Sequence, residues 1–499
     1  MSTLDPNLLS ELILPGLRSD PKISLQKQIY KALQQAILSG ALGAGHRLPS
    51  TRQLALDLRV SRITVTLAYD KLSAEGYIAT AQGSGTFVTD THPLIHRERT
   101  ATNPEIRDLD ECGLSTRAKR LVRSTHGSNQ QSGAFVPGIS DTLHFPFHLW
   151  QRMQNRYTKK PHSALTGYGT GGGYPPLRQA LAEYLQISRS VKCTPEQILI
   201  TMGTNQSLDL CALMLADAQD VALIEEPCNW STALIWRAAD LRVQTLGLDE
   251  DGLKLQDFPF ATTAASEHPK LVFTTPSHQY PMGGAMSLQR RRLLLELARQ
   301  YKFWIIEDDY DSEFRYDANP LPSLQGLDHH ERVIYLGTFS KVMYPGLRMS
   351  YLVVPQALVQ SFASGLNQLF RPGQLSLQAA MSDFITEGYF ASHVRRMRGI
   401  YAERQCELKR SLESHFGDST QVSGGNAGLH LTTRFNEPVD LGLMTSFCEA
   451  KGVALRDLSL YYQGDSPLPG YVLGYGGIAT DQVEAAVQVM AQGYDLAKD

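Results

Sequence analysis

Cysteine is scarce and poorly placed for a framework. Cys112, Cys193, Cys211, Cys228, Cys406 and Cys448 lie scattered, with no C-x-x-C pair among them. That spacing argues against a disulfide-stapled scaffold or a zinc site and leads us to expect reduced thiols in the cytoplasm. No stretch approaches the roughly 18 uninterrupted apolar residues of a membrane span. The opening MSTLDPNLLSELILPG carries acids where a signal peptide needs a basic region. There is no G-X-Y period, no tandem repeat at solenoid spacing and no low-complexity tract, which excludes collagen and repeat arrays. Charged residues make up only 19% of the chain against 42% apolar, the balance of an ordinary globular protein rather than a disordered one. At 499 residues the chain is too long for one core, so two or three folded units are expected.

The small net charge of −3 hides an asymmetry. Residues 21–90 hold eight Lys/Arg and four Asp/Glu, a local +4, which leaves −7 for the rest. Any polyanion contact is therefore expected at the N-terminal end. There, Leu25, Ile29, Leu33 and Ile37 recur every fourth position, one apolar helix face ending before Gly40. Ser50 and Gln53 have capping-box spacing ahead of a second helix with Leu54 and Leu58 on its inner face. Ser61 can cap a third, with Val65, Ala68, Tyr69 and Leu72 inward and Gly76 after its end. YIATAQGSGTFV then reads as a hairpin about Gly83 and Gly85. Helices followed by a hairpin predict a winged helix-turn-helix. Ser61, Arg62, Thr64 and Thr66 fall on the first turns of its recognition helix, Arg52 opens the preceding helix, and Gly83 lets the wing backbone approach a groove.

Residues 91 to about 130 lose periodicity and contain Pro93 and Pro104, which predicts a linker with a helical piece near Ala118–Val122. Beyond it, buried-strand runs (QILIT 197–201, VALIEE 221–226, LVFTTP 271–276, FWIIEDD 303–309, VIYLG 333–337) alternate with helical segments. That pattern predicts an α/β fold, a mostly parallel sheet covered on both faces, with a smaller helix-rich C-terminal lobe from about 380.

Four blocks in this region converge on one chemistry. GTFSK, Gly337–Lys341, follows a strand, and Arg348 lies seven residues on; a lysine there can form a Schiff base and an arginine fork can hold a phosphate. EDDYD, Glu307–Asp311, emerges from a buried strand, where a carboxylate can hold a pyridinium nitrogen. MGTNQS, Met202–Ser207, offers small residues at a helix N-terminus suited to an anion. GYGTGGGYPPLR, Gly167–Arg178, lacks the G-K-[ST] ending of a P-loop.

LPSTRQLALDLRVSRITVTLAYDKLSAEGYI resembles the winged helix of GntR-type regulators across residues 22–89. The resemblance implies DNA contacts at Arg52, Ser61, Arg62, Thr64 and Gly83. Residues 132–495 resemble fold-type I aminotransferases, which bind pyridoxal 5'-phosphate (PLP). By that resemblance Lys341 is the Schiff-base lysine, Asp308 the partner of the pyridine nitrogen and Tyr310 that of the ring oxygen. Gly203, Thr204, Asn205, Ser340 and Arg348 are implied for the phosphate, and Trp230 is a candidate to stack on the ring. In TPSHQYPMGG, Thr275–Gly284, Tyr280 stands where typical transaminases carry an asparagine. The fusion is identified as a member of the MocR subfamily of bacterial transcription regulators. It implies a homodimer acting on double-stranded operator DNA, with residues 1–21 an N-terminal segment, 22–89 the DNA-binding domain and 90–130 the linker. The large PLP-binding domain is then 131–380, and 381–499 the small lobe.

One departure bears on the effector. Amino-acid-binding relatives hold a carboxylate with an arginine near a C-terminal strand. In GYVLGYGG, Gly470–Gly477, Tyr471 is taken as the matching position, with no arginine nearby. A free amino acid is then expected to bind poorly, and PLP itself to serve as the signal, which suits control of vitamin B6 supply; the alternative is that another arginine, not visible in one dimension, replaces the missing one. An amine effector acting on amino-acid metabolism is the other form of this reading. An active aminotransferase carrying an accessory DNA-binding domain is the alternative from another class.

Overall fold

The computed structural model describes residues 17, 23–81, 84–89, 113–123, 132–159, 162–169, 171–262, 264–316, 322–464, 466 and 469–498. Gly83 and most of 90–130 lie outside them. The chain divides into two compact units, Met1–Asp108 and Leu109–Asp499, each considered by itself.

In the N-terminal unit the apolar spacing produces α1 (Leu25–Leu38), α2 (Thr51–Asp57) and α3 (Arg62–Ala74). Leu33, Leu54, Val65, Ala68 and Leu72, expected to face inward, are fully buried in one apolar cluster with Ile29 and Ile37, while Leu25 on the first turn of α1 stays half-buried. Ser50 caps α2 by accepting from the Gln53 amide at 3.2 Å. The reciprocal half of that capping box is not made, because the Gln53 side chain turns to Asp57 at 2.8 Å. The hairpin consists of β2 (Ile78–Ala81) and β3 (Gly85–Val88). A two-residue strand invisible to periodicity, β1 (Arg47–Leu48), pairs with β3 and completes an antiparallel β1-β3-β2 sheet. This is a winged helix-turn-helix.

The second unit begins, within the described residues, with the helix Thr116–Arg123. Its larger sheet comprises β4 (Ile198–Thr201), β5 (Val221–Glu226), β6 (Arg242–Asp249), β7 (Gly252–Leu253), β8 (Pro269–Thr274), β9 (Trp304–Asp309), β10 (Val333–Thr338) and β11 (Ser350–Val353). Their spatial order is β4-β11-β10-β9-β8-β5-β6-β7. Strands β10, β9, β8, β5 and β6 run parallel; β11 is antiparallel to both β10 and β4, so β4 shares the common direction. Successive residues bury into opposite layers: Leu223, Val272, Ile305 and Val333 on one face, Ile224, Phe273, Ile306 and Ile334 on the other. A strand covered on both faces must be apolar at every position, which is why these runs show no alternation. β6 and β11 were not among the expected runs. β6 mixes exposed with buried residues, and β11 is a four-residue strand.

The remaining sheet is antiparallel throughout, β12 (Thr420–Ser423), β13 (His430–Phe435), β14 (Arg456–Asp457) and β15 (Gly470–Gly474) in the order β12-β13-β15-β14. The 28-residue helix Tyr389–Phe416 and the last helix, Val483–Ala497, pack with it in one core cluster through Leu408, Leu412, Val487 and Met490. Among the described residues, no helix is long and apolar enough to cross a membrane.

Candidate functional site

Strands β4, β5, β8, β9 and β10 bring their carboxyl ends to one edge of the large sheet, the usual place for a ligand in such a fold. A cavity of about 340 Å³ opens there. Lys341, Asp308, Tyr310, Thr204, Asn205, Ser340, Arg348, Trp230 and Tyr280 all line it, so residues from blocks far apart in the chain meet at one point. Gly203 lies directly behind this wall. It caps the helix α4 (Thr204–Leu215) at φ 103°, and a β-carbon on it would come within 2.7 Å of the Arg348 guanidinium. Only glycine lets that arginine lie across the helix N-terminus, where backbone N–H groups and the guanidinium face the same anion position.

The Lys341 Nζ donates to the Gly138 carbonyl at 3.0 Å, again against a glycine whose β-carbon would strike it. Burial lowers the lysine's pKa, with Arg348 adding to the effect and Asp311 and Asp308 opposing it. Asp308, the last residue but one of β9, is only 6% exposed, and its Oδ1 is buried with no hydrogen-bond partner. Burial, then the neighbouring Asp309 and Asp311, push its carboxyl up to about 8. A buried carboxyl lacking a donor is costly. The ring N–H of PLP is the donor this position lacks, and the anion cradle matches its phosphate; the residues present fit the cofactor.

A second layer fixes the walls. Glu225 is fully buried at the end of β5 and accepts from the Thr275 amide at 3.0 Å and from the hydroxyls of Thr274 and Thr275 at 2.5 and 2.6 Å. The Gln279 amide bridges it to the Pro227 carbonyl, at 3.2 and 2.8 Å. The loops after β5 and β8 are thereby locked together. Asn229 caps the helix α5 (Trp230–Ala238), and both Asn229 and Trp230 face the cavity. Trp230 and Tyr280 each pack against a small apolar cluster of Leu458, Tyr461 and Val472, and the Tyr280 hydroxyl donates to that of Tyr461 at 3.2 Å.

Sequence reasoning missed part of the site. The Tyr310 hydroxyl lies 3.0 Å from the Nδ1 of His278, which also sits 3.0 Å from both oxygens of Asp311. His430 packs against His278 at 5.1 Å, and burial holds its pKa down at about 3, so it is neutral. Signals for His278 and Asp311 were present in the TPSHQYPMGG and EDDYD blocks; none marked His430.

Tyr471, aligned with the carboxylate-binding position, is a core strand residue. Tyr471 is fully buried in the core, its hydroxyl donating to the Leu441 carbonyl at 2.9 Å, and it is not among the cavity-lining residues. No arginine stands within Gly470–Gly477, but another one, Arg456, lines the cavity. It comes from β14, where it stands opposite Val472 of β15. Strand pairing brings it there across a gap in sequence that no motif spans.

On the N-terminal unit, Ser61 caps α3, accepting from the Thr64 amide at 3.3 Å, and its hydroxyl lies 2.7 Å from that of Thr64. Arg52 and Arg62 are exposed on the first turns of α2 and α3, while Thr64 is half-buried. Thr66 donates back to the Arg62 carbonyl at 3.0 Å.

Two family models match the chain: bacterial regulatory proteins of the gntR family over residues 25–88, and aminotransferase class I and II over residues 140–466. The chain is 37% identical to the probable rhizopine catabolism regulatory protein MocR of Rhizobium meliloti, covering 93% of this chain and 92% of that protein. It is 30% identical to the pyridoxine biosynthesis regulator PdxR of Corynebacterium glutamicum, over 95% and 96%. The crystal structure of an archaeal alanine:glyoxylate aminotransferase matches 78% of this chain and 99% of its own at 24% identity, with a TM-score of 0.71, a likeness of fold. The chain belongs to the MocR-type branch of the GntR regulators: it is a DNA-binding transcriptional regulator whose aminotransferase-like domain binds PLP.

Proposed function

We propose that the cavity is the regulator's sensing site and that its occupancy changes how the chain holds DNA. In this reading Lys341 holds the cofactor covalently, Asp308 pairs with its ring nitrogen and Tyr310 with its ring oxygen. Trp230 and Tyr280 flank the ring, and Gly203, Thr204, Asn205, Ser340 and Arg348 receive the phosphate. When bound, PLP supplies an electrophilic carbonyl that takes up a primary amine. The chain's own groups prepare for that. The lowered pKa of Lys341 favours its neutral, nucleophilic nitrogen. The unpartnered Oδ1 of Asp308 would accept a hydrogen bond from the ring N–H and keep it protonated, and Trp230 and Tyr280, packed against the Tyr461 cluster, shield one side from water.

Arg456 in the cavity wall carries the reading of the effector. A carboxylate taken from water needs a cation, and this arginine supplies one. The effector is then an amine bearing an acid group, such as an amino acid, acting with PLP; PLP alone is the other form of the signal. Relatives named for pyridoxine biosynthesis and rhizopine catabolism support control of vitamin B6 or amine metabolism. We assign 22–89 to DNA binding, with Arg52, Ser61, Arg62, Thr64 and Gly83 as contacts. Residues 1–21 are an N-terminal segment, 90–130 the linker, 131–380 the large PLP domain and 381–499 the small lobe. The working form is a homodimer in the cytoplasm.

The test is to titrate apo protein with PLP, then PLP-loaded protein with an amino-acid panel, following cofactor absorbance and the affinity for DNA selected by the full chain. Acid-bearing amines should shift both in the wild type and neither in Arg456→Leu, which keeps its response to PLP. DNA affinity indifferent to every ligand refutes the sensor. Multiple turnovers with a common amino acid would put the aminotransferase alternative first, since Arg456 serves that reading equally well.

A further inference from the structure

Ile63 and Leu67 are 69% and 44% exposed, an unusual pair for a helix whose other apolar side chains are so well covered. They lie one turn apart on α3. At about 100° per residue, Ile63 points about 170° away from the centre of the buried face made by Val65, Ala68, Tyr69 and Leu72. The outward surface at the start of α3 thus presents two alkyl groups, with the exposed Arg62 about 100° round the helix from Ile63. The hydroxyls between them are already engaged, Thr66 on the Arg62 carbonyl and Ser61 with Thr64. Ser61 and Thr64 keep acceptor capacity for a phosphate or its water, but the large side-chain surface most exposed on these turns, Ile63 and Leu67, is apolar.

We propose that Ile63, with Leu67 one turn on, contacts thymine 5-methyl groups in the major groove, so that Ile63 reads bases of the operator. The inference rests on α3 being the recognition helix. Thymine is the base that shows an apolar group on its major-groove edge, and its methyl is met by apolar side chains. The occupant is duplex DNA rather than another protein, because the pair shares the first turns of α3 with the exposed Arg62 in a segment of net charge +4, which suits a polyanion. Arg62 and Arg52 engage phosphates or guanine edges, and Ile63 discriminates thymine from cytosine where it touches.

The experiment uses full-length protein with PLP bound. Duplexes are selected from a random pool, and each thymine of the selected site is then replaced singly by deoxyuridine, which removes only the 5-methyl group. At one or two positions per half-site, wild-type affinity should fall about fourfold, the effect of exposing one buried methyl. Ile63→Ala should bind the thymine duplex about fourfold more weakly yet match the wild type on the uracil duplex, a result a misfolded domain could not give. Leu67→Ala should do the same at a neighbouring position. If the wild type binds in a salt-dependent way but is indifferent to every methyl, the inference falls while DNA recognition stands. If Ile63→Ala weakens thymine and uracil duplexes equally, the apolar pair serves a protein contact and the inference also falls. If no duplex is selected, the recognition helix itself is misassigned.

Discussion

Asp308 and Asp309 are chain neighbours at the end of β9 with opposite tasks. Asp309 is satisfied inside the fold: its Oδ2 accepts from Arg189 at 2.6 Å and from the Tyr335 hydroxyl at 2.5 Å, and Arg189 reaches on to Ser277 at 2.7 Å. Removing it would leave a buried guanidinium without its carboxylate. We expect Asp309→Ala to cost about 3–5 kcal/mol in urea unfolding. Asp308, lacking a donor, should behave differently. With its folded pKa raised to about 8 against an ordinary value near 4, its protonated form stabilises the apo fold fully below about pH 4, and that contribution is lost as pH rises through 8. Glu307 and Glu313, both pushed up to about 7 by burial, act in the same direction. Apo-protein melting temperatures should therefore fall from pH 5 to pH 8.5, and Asp308→Asn should flatten that fall. Lys341 is tested chemically: borohydride should fix PLP to a single peptide containing it, and Lys341→Ala should abolish both the labelling and the visible absorbance of the bound cofactor.

At the scale of elements, α3 depends on its cap. Ser61 supplies the side-chain oxygen that satisfies the first free amide, so Ser61→Ala should cost about 1 kcal/mol of stability in the N-terminal unit. The same substitution should weaken DNA binding, because α3 would fray at the turn that meets the groove. Phosphate contacts should dominate that binding. With about six phosphates engaged per dimer, the logarithm of affinity should fall against log salt with a slope near −5. The loops after β5 and β8 show the other way an element is held, through the buried Glu225 carboxylate rather than through regular backbone pairing.

For the whole molecule, the DNA-binding unit has its own core and its own sheet, so residues 1–90 expressed alone should fold. Because the proposed homodimer would present two half-sites at once, they should bind a full operator far more weakly than the intact chain. Sedimentation of the full chain beside gel-shift titration of the fragment checks this; equal affinities would place the dimer contacts within the first 90 residues.

Much of this protein was legible in one dimension because its strongest signals are local. A helix face needs only its neighbours at i+3 and i+4, and a strand buried on both sides announces itself as an apolar run. That determined α1, α2, α3 and strands β4, β5, β8, β9 and β10, and the blocks at the strand ends marked Lys341, Asp308 and Arg348. The tertiary structure decided what depends on pairing across the chain. β1 and β14 are two-residue strands that exist through their partners, and only the register of β14 against β15 brings Arg456 opposite Val472 and into the cavity. Tyr471, which the sequence aligns with the carboxylate-binding position without fixing its direction, is turned into the core by the two-residue alternation of its strand, in which a shift of one residue exchanges the cavity side for the interior.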